Sequence, residues 1–187
     1  MTYRHVLPLL FAMLAGCAPD PSTPPTQEAA PGRVEIESGG FLSESTPAPS
    51  TPFLLMDGTE TSMEDFRGRT VLVNFWATWC GPCVREMPWL AEVRQRIGGG
   101  TFEVVGIATA EPDTSVVARF VRTNPVPYPI AFDPTGAVAD AFGGVYAMPT
   151  SFLVDPGGTV RYRFLGVIPE DAPIDSLVAS LAGRTRP

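Results

Sequence analysis

The stretch from Thr70 to Trp76 is almost entirely apolar, β-branched or aromatic, and this limits the possible folds more than any other feature of the chain. Such a run fits a central strand buried on both faces, which needs helices on either side to cover it. Residues Pro82 to Ile97 are helix-forming and are closed by Gly98-Gly99-Gly100, after which Phe102 to Ala108 reads as a second buried strand. The result is a strand, helix, strand unit. With 187 residues, 44% hydrophobic and 18% charged, the chain can bury one core, so a single domain is expected.

Around this unit the pattern keeps alternating. Phe53 to Met56 followed by Asp57-Gly58 suggests a strand and turn, and a short helix near Ser62 to Phe66 ends at Gly68. Ser115 to Arg122 and Gly136 to Phe142 read as helices, with Pro129 to Phe132 extended between them. Ser151 to Val154, a Pro156-Gly157-Gly158 turn and Val160 to Leu165 suggest an antiparallel hairpin, covered by a last helix near Pro169 to Leu181. Trp76, Phe120, Tyr128 and Phe142 are expected in the core.

The N-terminus has a different character. A short polar start with Arg4, an apolar run from Val6 to Leu14 and the small residues Ala15 and Gly16 read as an export signal. The run is too short for a transmembrane helix, which needs roughly 20 residues. Leu14-Ala15-Gly16-Cys17 resembles the bacterial lipobox, in which cleavage precedes a cysteine that then carries lipid; an ordinary signal peptide cut slightly later is the alternative. Residues 18–50 contain seven prolines among Ser, Thr, Ala and Glu and read as a tether, although residues 33–37 could pack as a strand. About 33 flexible residues have an end-to-end distance of roughly 30 Å. The expected organisation is a signal over residues 1–16, a lipid-anchored proline-rich tether over 17–50, and the folded domain over 51–187.

All 13 basic residues are arginine and 20 residues are acidic; the net charge of −7 argues against a nucleic-acid partner. Cleavage before Cys17 would remove the only histidine, His5. Without an imidazole, a Ser-His-Asp triad, a Cys-His dyad and a Cys/His zinc site are all excluded.

Trp79-Cys80-Gly81-Pro82-Cys83 falls where the most hydrophobic strand gives way to a helix. Unpaired N–H groups and the dipole at a helix N-terminus favour a thiolate, so Cys80 is the expected nucleophile. Pro82 suits the first helical turn, and Cys83 lies one turn inward, placed to resolve a mixed disulfide. Half a zinc site, a purely structural disulfide and unreactive buried thiols are the competing readings.

The run Val71 to Cys83, followed by Glu86-Met87-Pro88 and later by Met148-Pro149-Thr150-Ser151-Phe152-Leu153-Val154-Asp155, resembles the TlpA/ResA branch of the thioredoxin superfamily over roughly residues 51–183. The resemblance implies an α/β, thioredoxin-like fold: a central mixed β-sheet flanked by helices, with a segment inserted between the central βαβ unit and a cis-proline hairpin. It implies a cis bond before Pro149, which faces the cysteine pair, with Met148 lining the substrate site beside Trp79, Gly81 and Pro82. Asn74 stands where thioredoxins proper carry a buried acid, and an amide cannot move a proton. The resemblance transfers that task to Glu86, three residues beyond Cys83; an exposed helix glutamate is the plainer alternative.

The expected reaction is dithiol-disulfide exchange, needing neither bound cofactor nor metal. Gly81-Pro82 is the dipeptide of thioredoxin, whose potential is about −270 mV, which favours reduction of the substrate. The resemblance adds an oxidised exported protein as substrate, apocytochrome c among them, a membrane electron donor of the DsbD/CcdA type, and an extracytoplasmic setting. An oxidase or isomerase, or a client- or copper-binding lipoprotein, are the rival readings. Gly81, Ala147 and Ser151 depart mildly from the family pattern and leave potential and partner open.

Overall fold

The computed structural model describes residues 35–36 and 41–182; the expected signal, Cys17 and most of the expected tether lie outside them. Nine strands among the described residues form one mixed sheet. In chain order they are β1 (Glu35–Ile36), β2 (Phe41–Pro47), β3 (Phe53–Leu55), β4 (Glu60–Thr61), β5 (Thr70–Trp76), β6 (Phe102–Thr109), β7 (Ile130–Asp133), β8 (Thr150–Val154) and β9 (Thr159–Leu165). The helices are α1 (Gly81–Ile97), α2 (Thr114–Thr123), α3 (Ala137–Ala141) and α4 (Ile174–Leu181), with a 3-10 turn at Met63–Phe66. The order across the sheet is β1-β2-β9-β8-β5-β6-β7-β3-β4. β5, β6 and β7 run parallel, whereas β8, β9 and β2 return antiparallel. This is the expected thioredoxin-like arrangement, with α2, β7 and α3 as the inserted segment.

β5 is buried along its whole length and divides two packing layers. Side chains alternate across a strand, so Leu72 and Trp76 join Met87, Leu90 and Val93 of α1 and Val178 and Leu181 of α4. Val71, Val73 and Phe75 face the other way onto Phe142 and Phe152. The Phe75 ring meets theirs edge-on, with centroids 5.5 and 5.8 Å away. Phe120, half-buried at the edge, has its ring centroid 5.3 Å from that of Trp76. Asn74 has the parity of Leu72 and Trp76, which turns its amide towards α1. Its parallel neighbour is Gly106, where a Cβ would fall 2.8 Å from Ile130 Cδ1 and 3.2 Å from Trp76 Nε1. A side chain here would have to displace the tip of Ile130 and crowd the Trp76 indole.

The domain begins earlier than expected. β2, assigned from the sequence to the tether, pairs antiparallel with β9 from Phe41↔Phe164 to Pro47↔Thr159, with a register shift between Ser43 and Thr46. Ala48 is buried, its N–H donating to Gly158 O at 2.8 Å. Glu44 faces Arg163 as an ion pair, Oε1 to Nε 2.6 Å, and the Arg163 guanidinium lies over the Phe152 ring at 4.8 Å. A strand near the sheet edge can be polar and end in proline, which is why Ser43-Glu44-Ser45-Thr46-Pro47 reads as a linker. Starting the chain at residue 51 removes the β2–β9 pairing and takes from Arg163 its carboxylate partner, leaving it the Phe142 carbonyl, and is expected to cost about 3 kcal/mol, or roughly 6–12 °C in Tm. Starting it at residue 41 should cost far less. Equal melting temperatures for the two truncations would contradict this role for β2.

Candidate active site

Cys80 and Cys83 are joined by a disulfide, with Cα atoms 5.3 Å apart. Cys80 is the N-cap of α1: its backbone is extended (φ −81°, ψ 93°) and its sulfur accepts the Cys83 N–H at 3.3 Å. Gly81 and Pro82 open the helix, where the missing N–H of proline costs nothing. Further along, α1 runs through Pro88, which gives up one intrahelical bond.

Cys83, Glu86, Met87, Leu90 and Val93 form the buried stripe of α1. Glu86 is therefore buried, 3% exposed, and not an open helix glutamate. One carboxyl oxygen accepts the Ile168 N–H at 2.6 Å, and the other accepts Asn74 Nδ2 at 3.2 Å. Asn74 also donates to Ser151 Oγ at 2.9 Å, across the β5–β8 register pair. Burial is the dominant influence on Glu86 and raises its pKa to about 7, with the two hydrogen bonds opposing it. Tyr128, in the same core, has its phenol pushed up by burial and then by the Glu86 charge. An amide at position 74 thus holds a carboxyl that titrates near neutrality.

The Met148–Pro149 bond is cis. Pro149 is buried and its carbonyl accepts the Gly166 N–H at 2.8 Å, while Thr150 Oγ1 donates to Ala147 O at 2.8 Å. In front of this loop lies a groove of about 390 Å³, with Trp79, Cys80, Gly81 and Pro82 on one wall and Val145, Tyr146, Ala147 and Met148 on the other. Of the cysteine pair, Cys80 lines it and Cys83 does not. A larger depression, about 550 Å³ between Leu54, Pro112 and Phe132, contains neither cysteine nor Glu86.

Sequence reasoning missed Glu111. The Thr78 N–H donates to its carboxylate, and Trp79 Nε1 donates to Ala110 O at 3.1 Å. Ala110 has φ +55°, unusual outside glycine, so the corner after β6 is held in this shape where it grips the turn leading to Cys80. The available signal was position: Glu111 follows the C-terminal end of a parallel strand, where α/β proteins collect their functional groups. Glu111→Ala is expected to slow attack by reduced Cys80 on a small disulfide by about tenfold, because displacing a nucleophile is costly. Glu111→Gln keeps an acceptor for Thr78 and should retain most of the rate. Wild-type rates for the alanine variant would contradict a positioning role.

A disulfide capping the helix after a central strand, beside a cis-proline loop, defines a thiol-disulfide oxidoreductase of thioredoxin type. Residues 43–181 match the redoxin family model, and the chain belongs to this family, in its TlpA/ResA-like branch. It is 34% identical over 119 residues to the thiol-disulfide oxidoreductase ResA of Bacillus thuringiensis, covering 64% of this chain and 68% of that protein. Identity to ResA of Bacillus subtilis is 32% over 146 residues, 77% and 79% of the two chains. Among solved structures, a putative thiol:disulfide interchange protein DsbE from Chlorobium tepidum superposes with a TM-score of 0.67 at 31% identity, covering 73% of this chain and 96% of that one. No helix among the described residues is long and apolar enough to cross a membrane.

Proposed function

We propose that the chain is a disulfide reductase of exported proteins, lipid-anchored through Cys17 to a bacterial membrane and working on its extracytoplasmic side, the periplasm where an outer membrane exists. The observation that carries this reading is the asymmetry of the pair: both are largely buried, but Cys80 caps α1 and lines the groove, while Cys83 does not line it and shares the buried stripe of α1 with Glu86. Trp79, Gly81, Pro82, Met148 and Pro149 receive the substrate.

In the reduced protein, the Cys80 thiolate attacks one sulfur of the substrate disulfide, and the other leaves as thiolate. Cys83 then gives its proton to Glu86 and attacks Cys80 Sγ. The bond to the substrate breaks, its second sulfur takes up a proton, and Cys80 and Cys83 end as a disulfide. Two electrons and one proton pass to the substrate in these steps, the first thiolate taking its own proton from water, without bound cofactor or metal. A membrane dithiol protein of the DsbD/CcdA type restores the pair by the same exchange in reverse. Gly81-Pro82 supports the reducing direction, since thioredoxin with the same dipeptide sits at about −270 mV. The substrate is an oxidised exported protein, with the haem-binding cysteine pair of apocytochrome c among the candidates.

With a dithiol donor present, the protein is expected to accelerate cleavage of the interchain disulfides of insulin, read as precipitation of the freed chain. A rate no greater than that of the donor alone would overturn the proposal. For the anchor, Cys17→Ala should move the protein from the membrane to the soluble fraction.

A further inference from the structure

Tyr146 is 93% exposed, the most exposed large apolar side chain among the described residues, yet it stands on the wall of the catalytic groove three residues before Pro149. The ring lies over Gly144, which has φ +89°, and a Cβ there would fall 2.6 Å from both Cζ and Oη of the phenol. A side chain at 144 would therefore be strained and would push the ring away. On the opposite wall, Trp79 is 64% exposed and is tied down by its indole bond to Ala110 O. Two aromatic rings thus flank Cys80, and none of the groove's eight lining residues is charged, in a chain with 33 charged side chains.

We infer that Trp79 and Tyr146 form an aromatic clamp for a bulky apolar side chain next to the reacting cysteine of the substrate, so that the protein prefers disulfides in apolar sequence surroundings. The inference rests on the exchange reaction proposed above, because that reaction requires a substrate cysteine at Cys80 and hence its chain neighbours in this groove. Apolar area buried between two aromatic rings stabilises binding, whereas a polar neighbour would lose water there without gaining a partner. A charge lies at the edge, where Arg85 Nη1 is 3.5 Å from the position a Cβ would take on Gly81.

The test uses peptides whose single cysteine is disulfide-bonded to thionitrobenzoate and flanked by phenylalanine or by serine, so that Arg85 does not bias the comparison. Cys80 of the reduced protein attacks the peptide sulfur, the coloured thionitrobenzoate leaves, and Cys83 then frees the peptide as the protein becomes oxidised. Wild type should react on the order of tenfold faster with the phenylalanine peptide. Tyr146→Ala should bring the two second-order rates to within about twofold and Tyr146→Phe should keep the preference, each protein's peptide rates being read relative to its own rate with a free, peptide-less disulfide. Equal peptide rates in wild type, or an undiminished preference in Tyr146→Ala, would overturn the clamp while leaving the exchange reaction standing. Failure of wild type with the free disulfide as well would overturn the exchange reaction, and the clamp with it.

Discussion

Cys83→Ser converts the protein from a catalyst into a trap: turnover falls by at least about a thousandfold, and the chain accumulates as a covalent adduct with its substrate. The expectation follows from the different surroundings of the two sulfurs. Cys80 lines the groove and caps α1, where the helix N-terminus stabilises a thiolate, so first attack survives the substitution. Cys83 is 1% exposed and does not reach the groove, so its loss removes only the second step. Cys80→Ser should give equally little turnover but no adduct. Intact mass measurement under non-reducing conditions separates the two, and an adduct on Cys83 in the Cys80→Ser protein would reverse the assignment.

Glu86→Gln is expected to slow release of the mixed disulfide by on the order of tenfold at pH 7 and to change the shape of its pH profile. Glu86 accepts a proton only when ionised, so the wild-type release rate should climb as pH rises through about 7 and then level off. The glutamine variant should stay slow until Cys83 itself ionises, for which a free thiol needs a pH of about 8.5. Stability carries the same signature. The folded pKa of about 7 lies above the ordinary glutamate value of 4.5, so the folded state holds more protons across that window. The stabilisation is fully present below pH 4.5 and is lost as pH rises through 7, about 3 kcal/mol in all. Urea unfolding of the oxidised protein at pH 5 and pH 8 should show this loss in wild type and not in Glu86→Gln. Superimposable profiles for release and stability would leave Glu86 with no part in proton transfer.

The chemistry was legible in the sequence where it depends on neighbours along the chain. A buried strand running into Trp79-Cys80-Gly81-Pro82-Cys83 fixes the cysteines at a helix start, and helical spacing puts Glu86 on the stripe of Cys83. What holds Glu86 could not be read, because its partners come from β5 and from Ile168, 82 residues away, and meet only when the layers pack. Glu111 was hidden for the same reason, being 33 residues from the Thr78 amide it accepts. β2 failed differently: polar residues and a proline near the sheet edge carry no burial pattern to separate a strand from a tether. Tyr146 is silent in sequence because full exposure leaves no periodicity, and its seat on Gly144 is a matter of close approach.

The equilibrium potential of the Cys80–Cys83 pair in the full chain, measured by titration against thiol buffers with free thiols counted at each point, tests the reducing role most directly. A value at or below about −270 mV is predicted, and one near about −120 mV would make the pair an oxidant and contradict the account.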